Sequence, residues 1–231
     1  MISFQQVHAH WLEHHRSIYR YIGTVTDVRG WTILKGPGET FWIWNEYCAT
    51  SSERGRWLLS CEGVDGFIVP NGCSEENCFR EIGAKFTSVT NVWAGKVELP
   101  DETPVDMRLV CDEETFEDFC FVFYKAYGCK LGLMNDIRAV CNKNVRTYVR
   151  YIDGLPVRTI SRLEFEGLIA MGHGACVPEF QGQHLGDDMI KRIFGNDPLT
   201  IGFVQPIQAM QVAKRLGGTN VGISYNTWRL E

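Results

Sequence analysis

Between residues 145 and 177 two dipeptides, Asp153-Gly154 and Glu166-Gly167, divide a stretch of alternating apolar and polar residues into three runs: Val145–Ile152, Val157–Phe165 and Leu168–Val177. Asp-Gly suits the left-handed backbone of a two-residue hairpin, so these runs predict three successive antiparallel strands. The third run leads into Cys176-Val177-Pro178-Glu179-Phe180-Gln181-Gly182-Gln183-His184-Leu185-Gly186-Asp187-Asp188. Such a Gly-rich loop opens a helix over 182–194, whose buried face would be Leu185, Met189, Ile190 and Ile193. Three strands handed directly to a helix exclude an all-β or all-α chain and predict a sheet flanked by helices.

The elements around this segment fit the same class. Strands are predicted at Val105–Val110, Leu199–Val204 and Asn220–Leu230, with helices at Glu113–Tyr127, Asn135–Asn144 and Pro206–Leu216. Phe116, Phe119, Cys120 and Phe123 give the first of these helices, Glu113–Tyr127, one apolar face. Upstream, Phe4, Val7, Trp11 and Ile18 predict a helix over 3–19. Strands follow at 21–28, 31–35, 41–44, 57–61, 67–69 and 89–99, with a helical piece at 74–83. Pro100-Asp101-Glu102-Thr103-Pro104 breaks regular structure and separates an N-terminal α/β region, 1–102, from a second domain, 103–231.

Composition narrows the partners. The formal net charge is −5, unsuited to a dedicated nucleic-acid binder. No apolar run approaches the ~20 residues that span a bilayer. The start of the chain lacks a charged segment followed by an apolar one, so no signal peptide is expected. The nine Cys are irregularly spaced with no Cys-x-x-Cys, which fits reduced thiols and a cytoplasmic protein with no bound metal.

The loop at 181–187 carries the chemistry. The first N–H groups of a helix have no intrahelical partner, and with the helix dipole they attract anions. Gly182 and Gly186 would allow a phosphate close to the backbone; a plain tight turn is the alternative.

The order of elements from 105 to 231, with Pro178 and Gln181-Gly182-Gln183-His184-Leu185-Gly186 at the exit of the third strand, resembles the GNAT superfamily of acyl-CoA-dependent N-acetyltransferases. That family's signature is Gln/Arg-x-x-Gly-x-Gly/Ala. The Asp153-Gly154-Leu155-Pro156-Val157 turn and Ala209–Gly217, ending Lys214-Arg215-Leu216-Gly217, are similar to the family's hairpin and last helix. The resemblance covers 103–231. Residues 57–99 are faintly similar to the back half of such a domain, as in a degenerate tandem copy. It implies the GNAT fold, a mixed and mostly antiparallel sheet flanked by helices, with the additional N-terminal region. It also implies that backbone groups of Gln181, Gly182, Gln183, His184, Leu185, Gly186 and Asp187 hold the diphosphate of coenzyme A. Cys176 and Val177 would pair with the pantetheine arm. The acetyl group of acetyl-CoA would pass to a small-molecule or protein amine by direct attack on the thioester.

Three positions depart from the pattern. His184 stands at the central Gly, Asp187 and Asp188 put negative charge at the helix start, and Ala213 and Pro206 replace a frequent Tyr and Asn. A catalytically inert coenzyme-binding module therefore remains the alternative to an enzyme. Substitute catalytic groups are His173 as base, Glu166 (or Glu164) through water, Tyr225 near the leaving thiolate, and the C-terminal Glu231. Each has a plain structural alternative: a hydrogen-bonded strand histidine, solvated turn carboxylates, a packed aromatic. Cys176 reads as a buried strand thiol rather than a nucleophile. His8, His10, His14 and His15 are expected on a solvated helix face, although His10 and His14 have the spacing of a helical metal site. The Trp31…Phe41-Trp42-Ile43-Trp44 region reads as core, with an acceptor pocket or a homodimer surface as alternatives.

Overall fold

The computed structural model describes residues 2–28, 30–44, 63–73, 76–99, 104–205 and 207–230. The chain opens on helix α1 (Phe4–Ile22). The Ser3 hydroxyl accepts from the Gln6 N–H, and the Gln6 side chain returns to the Ser3 N–H, which fixes the first turn. The helix runs through Ile22, past the end expected at 19, so strand β1 (Thr24–Val28) starts later than the sequence predicts. β2 (Trp31–Gly36), β3 (Glu39–Trp44), β4 (Gly66–Pro70), α2 (Glu76–Glu81) and the long strand β5 (Lys85–Gly95) complete the first half. The strand predicted at 57–61 lies outside the described residues.

The second half comprises β6 (Met107–Leu109), α3 (Glu113–Tyr127), β7 (Cys141–Asn142), β8 (Val145–Ile152), β9 (Leu155–Phe165), β10 (Leu168–Cys176), α4 (Leu185–Phe194), β11 (Thr200–Val204), α5 (Ile207–Arg215) and β12 (Thr219–Arg229). Asp112 caps α3 through the Thr115 N–H, and Gly128 ends it in the left-handed region at φ 70°. The helix expected over 135–144 does not form. Two 3-10 turns, Gly132–Asn135 and Ile137–Ala139, take its place. The Asp136 carboxylate accepts from the Arg138 N–H at 2.8 Å and binds its guanidinium, a local arrangement that competes with helical bonding.

Eleven of the described strands form one sheet path in the order β1-β2-β3-β4-β12-β5-β11-β10-β9-β8-β6, with β7 also pairing β8. Only β3/β4 and β10/β11 run parallel. The same succession occurs twice: an antiparallel meander, a parallel strand, a helix and a long strand. The two helix-to-strand turns even share their bonds. Gly83 N–H donates to Arg80 and Ala84 N–H to Phe79; Gly217 N–H donates to Lys214 and Gly218 N–H to Ala213. Gly83 and Gly217 sit at φ 82° and 81°. The long strands are exchanged: β12 lies between β4 and β5, and β5 lies between β11 and β12.

Alternation along the strands separates two apolar layers. Val7, Trp11 and Leu12 of α1 and Phe119, Val122 and Phe123 of α3 share one core with Ile43, Val92, Val149, Ala175 and Tyr225. On the opposite face Met189, Ile190 and Phe194 of α4 pack with Ile160 and Val97, and Phe79 of α2 packs with Trp31, Trp42, Phe67 and Trp228. Among the described residues, no helix is long and apolar enough to cross a membrane.

Candidate functional site

β10 and β11 pair only at Ala170↔Ile201 and Met171↔Gly202, then separate. Where they part, β10 bulges: its register with β9 shifts between Gly172 and Ala175, and His173 adopts φ 44°. Val177 N–H donates to Val157 O of β9 at 3.0 Å. Main-chain groups alternate sides along a strand, so Cys176 and Gly174 turn theirs to the open side. Both carbonyls there are met by side chains: Gln181 Nε2 donates to Cys176 O at 3.4 Å, and Tyr127 OH donates to Gly174 O at 3.0 Å. A Cβ placed on Gly174 would meet no atom within 4 Å. The result is an open backbone edge beside a gap in the sheet.

The bulge turns the His173 ring toward α1 and α3. Its Nδ1 lies 2.9 Å from Ser161 Oγ and its Nε2 lies 3.3 Å from His14 Nε2. Ser161 Oγ is 2.5 Å from Thr147 Oγ1, which donates to Val140 O. One donor per hydroxyl sets the direction of the whole chain. Thr147 must accept from Ser161, Ser161 must accept from His173 Nδ1–H, and His173 Nε2 must accept from His14 Nε2–H. Burial pushes His173 down to about 4, so the ring is neutral at pH 7. Both its nitrogens are therefore engaged within the protein. The α1 histidines, expected to face solvent, instead bury: His8, His10 and His14 line the core, and burial lowers the pKa of all three. The physical reason is their aromatic surroundings. His10 packs against Phe165 and Phe203, and His8 lies against Tyr225.

The loop leads from the open edge into α4. Gly182 sits at φ 82°, and His184, the residue before the helix, at φ 56°. This explains why the pattern favours Gly at residue 184: the backbone is left-handed there, and a histidine adopts it under strain. Asp187 N–H donates to His184 O. Among the described residues, the N–H groups of Gly182, Gln183, His184, Leu185 and Gly186 make no backbone–backbone hydrogen bond of good geometry. Three arginines surround them that no loop motif announced. Arg215 of α5 grips both oxygens of Asp187 at 2.7 and 2.9 Å. Arg150 of β8 contacts Asp188 at 3.2 Å and donates to Leu185 O at 2.6 Å. The two carboxylates that threatened to repel a phosphate are thus held by cations. Arg158 of β9, opposite Cys176 in register, packs so closely on Gly186 that a Cβ would strike its guanidinium. No carboxylate pairs with Arg158 among the described residues. These arginines are distant in sequence; only the alternation of β8 and β9 could have hinted at their side of the sheet.

The remaining sequence-derived residues fall elsewhere. Glu166, at φ 51°, occupies the β9–β10 turn, at the end of β10 away from the gap. Glu164 is tied to Arg162 at 2.7 Å and to Arg146 at 2.6 Å, and these bonds lower its pKa. Tyr225 is fully buried, stacked on Trp11, with its hydroxyl 3.4 Å from His8 Nδ1. Ala213 is buried on α5. Burial raises the Cys176 thiol, which keeps it protonated. Pro206 and Glu231 lie outside the described residues.

No family model matches the sequence, and no curated protein does. Solved structures do. A GCN5-related N-acetyltransferase from Kribbella flavida superposes with a TM-score of 0.70 at 14% identity, covering 98% of this chain and 95% of that one. A GCN5-related N-acetyltransferase-like protein from Streptococcus suis gives 0.60 at 16% identity, over 94% and 99%. A tandem GNAT protein from the clavulanic acid biosynthesis pathway gives 0.53 at 13% identity, over 87% and 78%. The fold is therefore that of the GCN5-related N-acetyltransferases. Its match to structures of this class spans nearly the whole chain, including the first half.

Proposed function

We propose that the protein is an acetyl-CoA-dependent N-acetyltransferase acting on a primary amine. The observation that carries this reading is the cluster of N–H groups at 182–186 without backbone partners, beside Arg158 and at the end of an open strand edge. Backbone N–H groups and a guanidinium fit a diphosphate in charge and in hydrogen-bond sense. The carbonyls of Gly174 and Cys176 fit the amide N–H groups of a pantetheine arm laid along β10, taking the places of Tyr127 and Gln181. The thioester would then lie at the bulge, where an amine could attack its carbonyl carbon.

Within this reading His173 is a positioning residue. Both its nitrogens are engaged, so it holds the bulge, and the ammonium proton leaves through water. Glu166 and Tyr225 play no part at the gap. The acceptor is an amine of a small molecule or of a protein chain, and the cytoplasm is the expected compartment. The engaged ring of His173 and the absence of a hydroxyl at Ala213 favour one rival, a coenzyme-binding module without turnover.

A thermal-shift titration with coenzyme A and acetyl-CoA tests the first claim. At a hundredfold excess over Kd, either ligand should stabilise the fold by about 2.7 kcal/mol. Absence of binding by both would end both readings. Binding without thiol release across a panel of amines would leave the inert module.

A further inference from the structure

We propose that Tyr127 is the acid that protonates the departing coenzyme A thiolate, an assignment that rests on the acetyl-transfer reading above. Tyr127 closes α3, and its hydroxyl reaches across to Gly174 O at 3.0 Å, on the strand edge that β11 leaves unpaired. A thioester seated at the bulge would displace this bond and leave the phenol beside the sulfur. The residue as a whole is 52% exposed.

The other hydroxyls of this neighbourhood are committed. Thr159 Oγ1 donates to His173 O at 2.8 Å, Ser161 is locked between His173 and Thr147, and Tyr225 is sealed in the core. Partial burial raises the Tyr127 phenol above its ordinary value, so it keeps its hydrogen at neutral pH.

The step balances without another reagent. The amine nitrogen bonds to the thioester carbon, and its surplus proton passes to water. As the tetrahedral species collapses, the carbon–sulfur bond breaks, and sulfur keeps the electron pair and takes the phenolic hydrogen. The phenolate is reprotonated by water.

The test uses the full chain with acetyl-CoA and hydroxylamine, a nucleophile small enough to need no recognition of its own. Thiol release gives kcat, and calorimetry gives the Kd for coenzyme A. Tyr127→Phe should lower kcat at least tenfold and leave Kd within threefold. Replacing Tyr127 with a fluorinated tyrosine of lower pKa should move the alkaline limb of kcat to lower pH, which a merely structural residue would not do. Retention of kcat within threefold in Tyr127→Phe, or an unmoved alkaline limb, overturns the assignment while acetyl transfer stands. Wild-type protein that binds coenzyme A but releases no thiol overturns the catalytic reading, and the assignment falls with it.

Discussion

Acid should loosen α1 from the sheet well before it disturbs the ion pairs. His8, His10 and His173 each have a folded pKa of about 4 because burial disfavours the charged ring. In the unfolded chain each returns to 6.5. Between these values the unfolded state binds more protons, so stability is full above pH 6.5 and falls as the pH drops toward 4. At pH 5 an unfolded imidazole is almost wholly protonated and a folded one about nine-tenths neutral, a cost of about 2 kcal/mol per histidine. Three such groups give at most about 6 kcal/mol, on the order of a whole domain's 5–15 kcal/mol. Glu164 and Asp136, whose folded pKa values are lowered by arginine, act in a separate window below the ordinary carboxylate pKa of about 4. Guanidinium unfolding followed by tryptophan fluorescence at pH 7, 6 and 5 reads the effect, because Trp11 lies in the same core, against Phe203 and Tyr225, which also pack on His10 and His8. His10→Phe should fold at pH 7, since Phe165 and Phe203 already surround the site. It should also reduce the pH dependence by up to ~1.4 kcal/mol per pH unit, one proton's worth. A midpoint that holds constant from pH 7 to 5, or an unchanged slope in His10→Phe, would refute the reasoning.

Other expectations concern the loop and the second core. His184→Gly should gain about 1 kcal/mol in chemical denaturation by relieving its left-handed backbone; a loss of stability would contradict the strain at φ 56°. Arg158→Gln should weaken coenzyme A binding about tenfold and lessen its salt dependence, since a guanidinium–phosphate contact is lost; equal affinities by calorimetry would remove Arg158 from the site. Arg215→Gln should also weaken binding by freeing the Asp187 carboxylate, and adding Asp187→Asn should restore it; failure of the double variant to recover would show that Arg215 acts otherwise. Phe79→Ala, which empties a fully buried site stacked on Phe67 at 4.6 Å, should cost about 3–5 kcal/mol in denaturant unfolding; a change under 1 kcal/mol would contradict the packing.

Local chemistry made much of the second half legible. Asp153-Gly154 and Glu166-Gly167 adopt the positive φ angles their hairpins require, and the apolar spacing of α3 gives its observed bounds. The Gly-rich loop likewise lies where its composition places it. Features that depend on distant partners were not legible. The bulge at His173 is set by neighbours on three other elements, and its sequence, Gly172-His173-Gly174, reads simply as strand. The α1 histidines looked polar because imidazole is polar; what buries them is aromatic surface contributed by β9, β11 and β12. The arginines around residue 186 come from two strands and a helix, so no window of sequence contains them together. The repetition of the two halves was faint because it survives in topology and in two glycine turns rather than in side chains.

The exchange of β5 and β12 has a consequence for synthesis. When a ribosome has released β5, both of its neighbours, β11 and β12, still lie about a hundred residues ahead. Until translation is nearly finished, the nascent chain carries an eleven-residue strand with neither edge covered. Closure must then come late and join both halves in one event, so neither half is expected to mature as an independent product, and the waiting strand is where a chaperone would be needed most.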